Sequence, residues 1–224
     1  LDTTDLKIMR LMQENARINN ADIARELGMA PSGILERVKK LEQKIETATR
    51  EAFQEMVEKH QQERIYAFAL YSDEGAMTVC PATHTLNYLE TKPPKDITYY
   101  KYEPAEWHYE GDGADDEFQE ICNELYDYIE EELEDLEEED KDEDEEDDTE
   151  FELFQQQLYQ TCIDVLLKLK KENFFKNTLG YDIFLMFSVT DYEQDRMLLA
   201  QTITDLNENP YRDAYLEWMK TWRK

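Results

Sequence analysis

PSGILERVKKLEQKIETATREAFQEMVEKHQQER, residues 31–64, decides how this chain is organised. Pro31 suits the first turn of a helix, where its missing N–H would have no partner anyway. Ile34, Val38 and Leu41 then recur at i, i+4 and i+7, the spacing of one helix face. Beyond Lys44 the apolar side continues through Ile45, Ala48, Ala52, Met56 and Val57. The stretch therefore predicts a helix to about Lys44 that closes an N-terminal unit. A linking helix over 45–63 extends it and offers a candidate contact for a homodimer.

Upstream, two shorter helices are expected. The first, about 2–15, has Asp2 as N-cap and Asp5 three residues on, a carboxylate variant of the capping box. The second, about 20–27, is capped by Asn20 and ended by Gly28, a good C′ residue. A three-residue turn, GMA at 28–30, joins it to the third helix, which gives a helix-turn-helix pattern. On a helical wheel the third helix turns Ser32, Glu36, Lys39 and Gln43 outward from the Ile34 stripe. Gly33 and Lys40 lie on one flank and Arg37 nearer the core edge. Small residues at the helix start allow close approach to DNA, and the basic ones reach phosphates or guanine acceptors. Spacing alone suits a three-helix unit with a solvated face equally well.

The residues themselves carry a resemblance. LDxxDxxI at 1–8, the L-Q-x-N-A-R-I run at 11–18, I-A-x-x-L-G at 23–28 and P-S-x-x-x-E-R-V-x-x-L-E at 31–42 resemble the DNA-binding domain of the Lrp/AsnC family of prokaryotic transcription regulators. The resemblance implies a winged helix-turn-helix that reads a major groove of double-stranded DNA with its third helix. Carried over, it makes Ser32, Gly33, Glu36, Arg37, Lys39 and Lys40 the DNA-facing set. Three departures stand out. Ala30 replaces the usual serine before the helix-starting proline. The glycine and β-hairpin wing expected after Lys44 are replaced by the helical pattern above, so the wing is expected to be absent. The family's amino-acid-binding βαββαβ domain is not visible.

Residues 64–224 read as an acidic α+β domain with a small, mostly antiparallel sheet packed by helices. IYAFALYS (65–72) and AMTVC (76–80) read as a hairpin around DEGA, ended by Pro81. ATHTLNYLE (82–90) reads as a short helix. ITYYKYEPAEW (97–107) is aromatic and β-prone, with Pro104 marking a strand end. Residues 117–133 and 151–175 read as amphipathic helices. DIFLMFSVT (182–190) is a continuous apolar run expected of a central strand, and a helix near 193–206 follows. In the last segment Tyr211, Tyr215, Trp218 and Trp222 repeat at helical spacing, which suits either closure of the core or a stacking surface for a ligand. IYAFALYSDEGAMTVCPATHT, YYKYEPAEWHYEG, DIFLMFSVTDYE and NPYRDAYLEWMKTW resemble an uncharacterised bacterial domain family of unknown function. That resemblance implies no activity.

Charge narrows the functional classes. The chain carries 54 acidic and 24 basic side chains, a net charge of −30. Eight basic and seven acidic residues lie in 1–44, so the acidity belongs to the remainder. Such a body repels nucleic acid and anionic membrane, and only the N-terminal unit is suited to a DNA contact. Residues 130–150 hold 17 acids and one lysine, and like charges at helical spacing predict a disordered acidic insert over about 134–150. Asp140, Asp142 and Asp144 have the 1,3,5 spacing of a calcium loop, but Glu145 stands where glycine is needed and Phe151 where a bidentate Glu belongs. No apolar run of 18 residues exists, and three unpaired-looking cysteines suit a reducing cytoplasm.

No catalytic constellation is visible, and no cofactor or metal is expected. Cys80 and His84 are four apart, a weak nucleophile pair interrupted by Pro81, and Glu103, Glu106 and Glu110 flank Trp107 without a convergent pattern. The reading that follows is a bacterial, cytoplasmic, homodimeric DNA-binding regulator and not an enzyme. The alternative is a protein-binding module, such as a toxin-immunity or inhibitor protein, whose acidic face engages a basic partner.

Overall fold

The computed structural model describes residues 31–129, 147–190 and 195–222; for 31–41, 128 and 147–154 it describes the backbone alone. The two shorter N-terminal helices, the calcium-like spacing at 140–145 and most of the acidic insert therefore lie outside the described residues. What is described is α+β: eight α-helices and one four-stranded mixed sheet.

Helix α1 (Pro31–Lys59) is one 29-residue helix that runs through the 44/45 position without a break. Strand β1 (Ile65–Asp73) follows, then β2 (Val79–Thr85), with β3 (Tyr109–Glu110) and β4 (Phe184–Thr190) completing the order β3-β2-β1-β4. β1 pairs antiparallel with β2 and parallel with β4, and β2 pairs antiparallel with β3. The sheet is thus mostly antiparallel, as its hairpin suggests.

β1 is buried on both faces, and the pleat divides its side chains between two cores. Phe68 and Leu70, with Leu185 and Phe187 of β4, face α1, α4 (Asp115–Tyr128), α5 (Asp147–Lys171) and α6 (Phe174–Leu179). Ala67, Ala69 and Tyr71, with Phe184 and Met186, face α3 (Ile97–Tyr102), α7 (Arg196–Leu206) and α8 (Pro210–Met219). A register shift between Ile65 and Ala67 lets Tyr66 join the second core while Ile65 stays in the first. α2 (Leu86–Leu89) is a single turn after β2, capped by Thr85.

Several local expectations need correcting. Pro81 lies inside β2 opposite Leu70 rather than ending a strand. Its carbonyl accepts from the Gly111 N–H at 2.9 Å, so the missing N–H lies on that same side and the ladder to β1 loses nothing. Strand therefore continues to Thr85, and only Leu86–Leu89 of the expected 82–90 helix is helical. Residues 97–102 form α3 and 104–106 a 3₁₀ turn, where aromatic β-propensity had suggested a strand. Tertiary packing overrides that propensity: Tyr102 is buried against Phe184, Tyr215 and Trp218, and the Lys101 carbonyl accepts from the Tyr66 hydroxyl at 2.9 Å. β4 is an edge strand, not a central one. Helices cover both its faces, which gives the same apolar run. Its open edge is closed by Asn207, whose amide accepts from Leu185 N at 2.8 Å and donates to Leu185 O at 2.7 Å. Residues 147–150, expected in the acidic loop, belong to α5.

The stripe after Lys44 is core. Ile45, Ala48, Ala52, Phe53 and Met56 are essentially inaccessible, so residues 45–59 are an integral helix of the domain and not a free linker. Their apolar face is used within the chain, which removes it as a dimer contact. The loop before α4 approaches this helix closely. Gly113 has φ +102, and a Cβ there would lie 3.0 Å from the Ala52 backbone. Gly113→Ala is expected to destabilise the domain by roughly 2–3 kcal/mol through strain and clash together, measured by denaturant unfolding. Gly111→Ala, also at positive φ but with open space around it, should cost no more than about 1 kcal/mol.

Candidate functional site

Ser32, Gly33, Glu36, Arg37, Lys39 and Lys40 all fall on the first ten residues of α1, which are helical. Their side chains lie outside the described residues. What the structure defines is the base on which this segment stands. Thr49, buried in the helix, satisfies its hydroxyl on the Ile45 carbonyl at 2.7 Å.

Charged contacts grip the same short stretch from two flanks. On one flank the Lys44 ammonium bonds Glu120 at 3.0 Å and also Glu124, both on α4. On the other, Glu46 accepts from Lys168 of α5 at 2.7 Å and from Arg50 at 2.6 Å, and Arg50 reaches on to Glu172. Lys168 also bonds Glu42 at 3.2 Å, and the Arg50 guanidinium lies 4.9 Å over the Phe174 ring. Burial opposes the charge on Lys44, but hydrogen bonds to Glu124 and Glu120 outweigh it and raise its pKa. Burial likewise opposes ionisation of Glu46, and bonds from Lys168 and Arg50 reverse the balance and lower its pKa. Partly exposed pairs of this kind contribute little stability each, at most about 1 kcal/mol. Their effect is to fix the direction in which the segment 31–41 leaves the domain.

No strand follows α1 that serves as a wing among the described residues; the next, β1, is the centre of the sheet. This agrees with the helical pattern after Lys44.

The remaining sequence candidates disperse. Cys80 and His84 form no pair; the Cys122 thiol of α4 reaches the strand beside Cys80 and donates to the Val79 carbonyl at 3.6 Å. His84 is fully buried, stacked on Trp107 at 5.5 Å, and its Nδ1 accepts from the His108 N–H at 3.4 Å. Glu110 accepts from the Tyr71 hydroxyl. Of the C-terminal aromatics, Tyr215 is buried in the second core, and Tyr211, Trp218 and Trp222 pack against it, so they close the core. Among the described residues no cluster of three or more metal-ligating side chains occurs, and no helix is long and apolar enough to cross a membrane.

Comparison with known proteins divides the chain at the same helix. Residues 45–208 match the family model described as Domain of unknown function (DUF4303). The chain belongs to the DUF4303 family. Residues 1–44 match a second model, Winged helix-turn-helix DNA-binding, so a helix-turn-helix DNA-binding domain precedes the DUF4303 domain. That part is also 45% identical over 42 residues to the Leucine-responsive regulatory protein of Haemophilus influenzae. The matched stretch is 19% of this chain and 25% of that relative, so the chain spans about a quarter of the curated protein it matches. No solved structure matches the chain. The boundary between the two models, 44/45, falls inside α1.

Two outcomes follow. Gln43 is exposed on α1 just before the buried stripe. Gln43→Pro should break the helix there, at a cost of about 3 kcal/mol to the helix, and uncouple the two parts. DNA affinity is expected to fall while the near-ultraviolet circular dichroism of the body is retained; unchanged affinity would show that the connection is immaterial. The second outcome concerns His84, whose pKa burial lowers to about 3 from the ordinary 6.5. The folded protein keeps it neutral, so its contribution is complete above pH 6.5 and is lost as pH falls toward 3. Between pH 6.5 and 5 the native chain should lose about 2 kcal/mol more than a His84→Gln variant, measured as the difference between their urea-unfolding curves.

Proposed function

We propose that the chain is a cytoplasmic DNA-binding transcription regulator of Lrp/AsnC type. Its helix-turn-helix is carried at the N-terminus of a DUF4303 domain. The observation that carries this reading is the match of residues 1–44 to a DNA-binding helix-turn-helix and to the leucine-responsive regulator. The third helix enters the major groove. Ser32, Gly33 and Glu36 face base edges near its start, and Arg37, Lys39 and Lys40 bind phosphate or guanine. One such unit makes few contacts, so two copies read two half-sites as a homodimer. The dimer surface lies away from the apolar face of residues 45–56, which the fold already covers.

The body's charge shapes how such binding behaves. A domain this acidic repels the duplex, so affinity depends on a specific site and falls with salt, and random duplex binds very weakly. Lys39→Ala with Lys40→Ala should weaken binding to the selected site. It should also lower the slope of log affinity against log salt by roughly 0.9 for each phosphate no longer neutralised. Substitutions at Ser32 and Glu36 should instead change which sequence is preferred. Selection from a random duplex pool at low salt, with sedimentation of the bound species, tests both parts. Enrichment of a two-half-site sequence bound by two chains is expected. No enriched sequence would overturn the reading, and specific capture of a basic protein by the acidic body would then favour a protein-binding module.

A further inference from the structure

The end of α5 serves two neighbours. Lys168 and Glu172 hold α1 through Glu46 and Arg50. Lys170 and Lys171, between them in sequence, line a cleft of about 420 Å³. Its floor is apolar: Phe175 of α6, Ile183 and Leu185 where the chain enters β4, and Leu206 at the end of α7. All four belong to the first core, so the floor is fixed by the fold. Asn209 and Asn207 hold its β4 side, their amides donating to the carbonyls of Ile183 at 2.8 Å and Leu185 at 2.7 Å. The rim is charged, with Lys170, Lys171 and Lys176 against two carboxylates, Asp182 and Glu208. Lys176 bonds Asp182 at 2.8 Å and Lys170 bonds Glu208 at 3.0 Å. Lys171 makes no ion pair among the described residues. The nearby carboxylates of Glu172 and Asp205 are engaged elsewhere, by Arg50 and by Gln201. The cleft therefore keeps one positive charge on a body that is otherwise strongly acidic. Its volume lies within the range of small-molecule sites, about 300–1,000 Å³.

We propose that this cleft binds a small monocarboxylate with an apolar body. The carboxylate meets Lys171 and Lys170, and the apolar part lies on Phe175, Ile183 and Leu206. A neutral apolar molecule would desolvate Lys171 without giving it a partner. A dianion would bring a second negative charge beside Asp182 and Glu208, and inorganic phosphate would make no use of the floor. Occupancy reaches α1 by two routes. Phe175 meets Phe53 of α1 with ring centroids 4.8 Å apart. Lys168 and Glu172 flank the two lysines that take the carboxylate. A ligand that orders the end of α5 thus orders the base of α1 with it. Any effect on DNA affinity rests on the regulator reading above, whereas the binding site does not.

The test is a titration of the full chain with hydrocinnamate at neutral pH, read by amide chemical shifts. Saturable shifts are expected at residues 170–176, 183–185 and 206–209, and in step with them at residues 46–53 of α1. Hydrocinnamyl alcohol, which has the same body without the charge, should bind more weakly by roughly fivefold. Lys171→Ala should weaken hydrocinnamate by roughly two- to fivefold, and Lys171→Glu should abolish its binding. Glu208→Gln frees Lys170 of its competing carboxylate and should tighten binding by a similar factor, a gain that misfolding cannot produce. No saturable shift at the cleft, equal binding of the alcohol, tighter binding of inorganic phosphate, or weaker binding by Glu208→Gln would overturn the proposal. Shifts confined to the cleft, with none at 46–53, would overturn the link to α1. Shifts that persist in a chain unable to bind any DNA would sustain the site and remove the regulator reading alone.

Discussion

Phe53 of α1 meets Phe68 of β1 edge-on, with ring centroids 5.3 Å apart, and Phe175 of α6 at 4.8 Å. Ile45, Ala48, Ala52 and Met56 complete this buried stripe, so the first core cannot close without residues 45–56. Truncating one such phenylalanine typically costs about 3–5 kcal/mol, a large fraction of the roughly 5–15 kcal/mol that holds a domain folded. The ion pairs of Lys44, Glu46 and Arg50 are worth much less. They act after the apolar contact has placed the helix, by choosing its direction.

Because α1 is continuous from Pro31 to Lys59, that same core contact also positions the segment named as DNA-facing. An α-helix rises about 1.5 Å per residue, so residues 31–41 project roughly 15 Å beyond Glu42. The DNA-facing segment 31–41 is thereby led away from the buried stripe of a chain whose negative charge lies almost wholly beyond residue 44. A flexible linker would let the acidic body swing toward the duplex. A continuous helix buried along one face from Ile45 to Met56 does not. The geometry thus explains how one chain combines a DNA-binding element with a domain that repels nucleic acid, and why a helix suits the 44/45 junction better than a hairpin wing.

Features set by local periodicity were readable. The stripe from Ile45 to Val57, the apolar run of β1 and the amphipathic helices α4 and α5 lie close to where spacing places them. So does the aromatic face of the last helix. Features set by distant partners were not readable. Residues 97–102 have strand-like composition, yet Tyr102 is held in a helix by aromatics more than 80 positions away. Pro81 looked like a strand end because the side on which its nitrogen would lie depends on where Gly111 returns. β4 looked central because helices on both faces imitate burial between strands, and no local signal shows Asn207 sealing its edge. Of the candidate site, the helix-turn-helix motif was legible because its spacings are local. The ion pairs that grip its base were not, since Glu120, Glu124 and Lys168 lie more than 70 positions from Lys44 and Glu46.

The continuity of α1 across residues 42–48 is the claim on which the coupling of the two parts rests. Amide hydrogen exchange on the full chain measures it directly. If the helix is one element, the amides of 42–48 exchange as slowly as those of β1 and are released with them in the same cooperative opening. Exchange of 42–48 at rates near those of an unstructured peptide, with β1 still protected, would place a hinge at the junction and contradict the account.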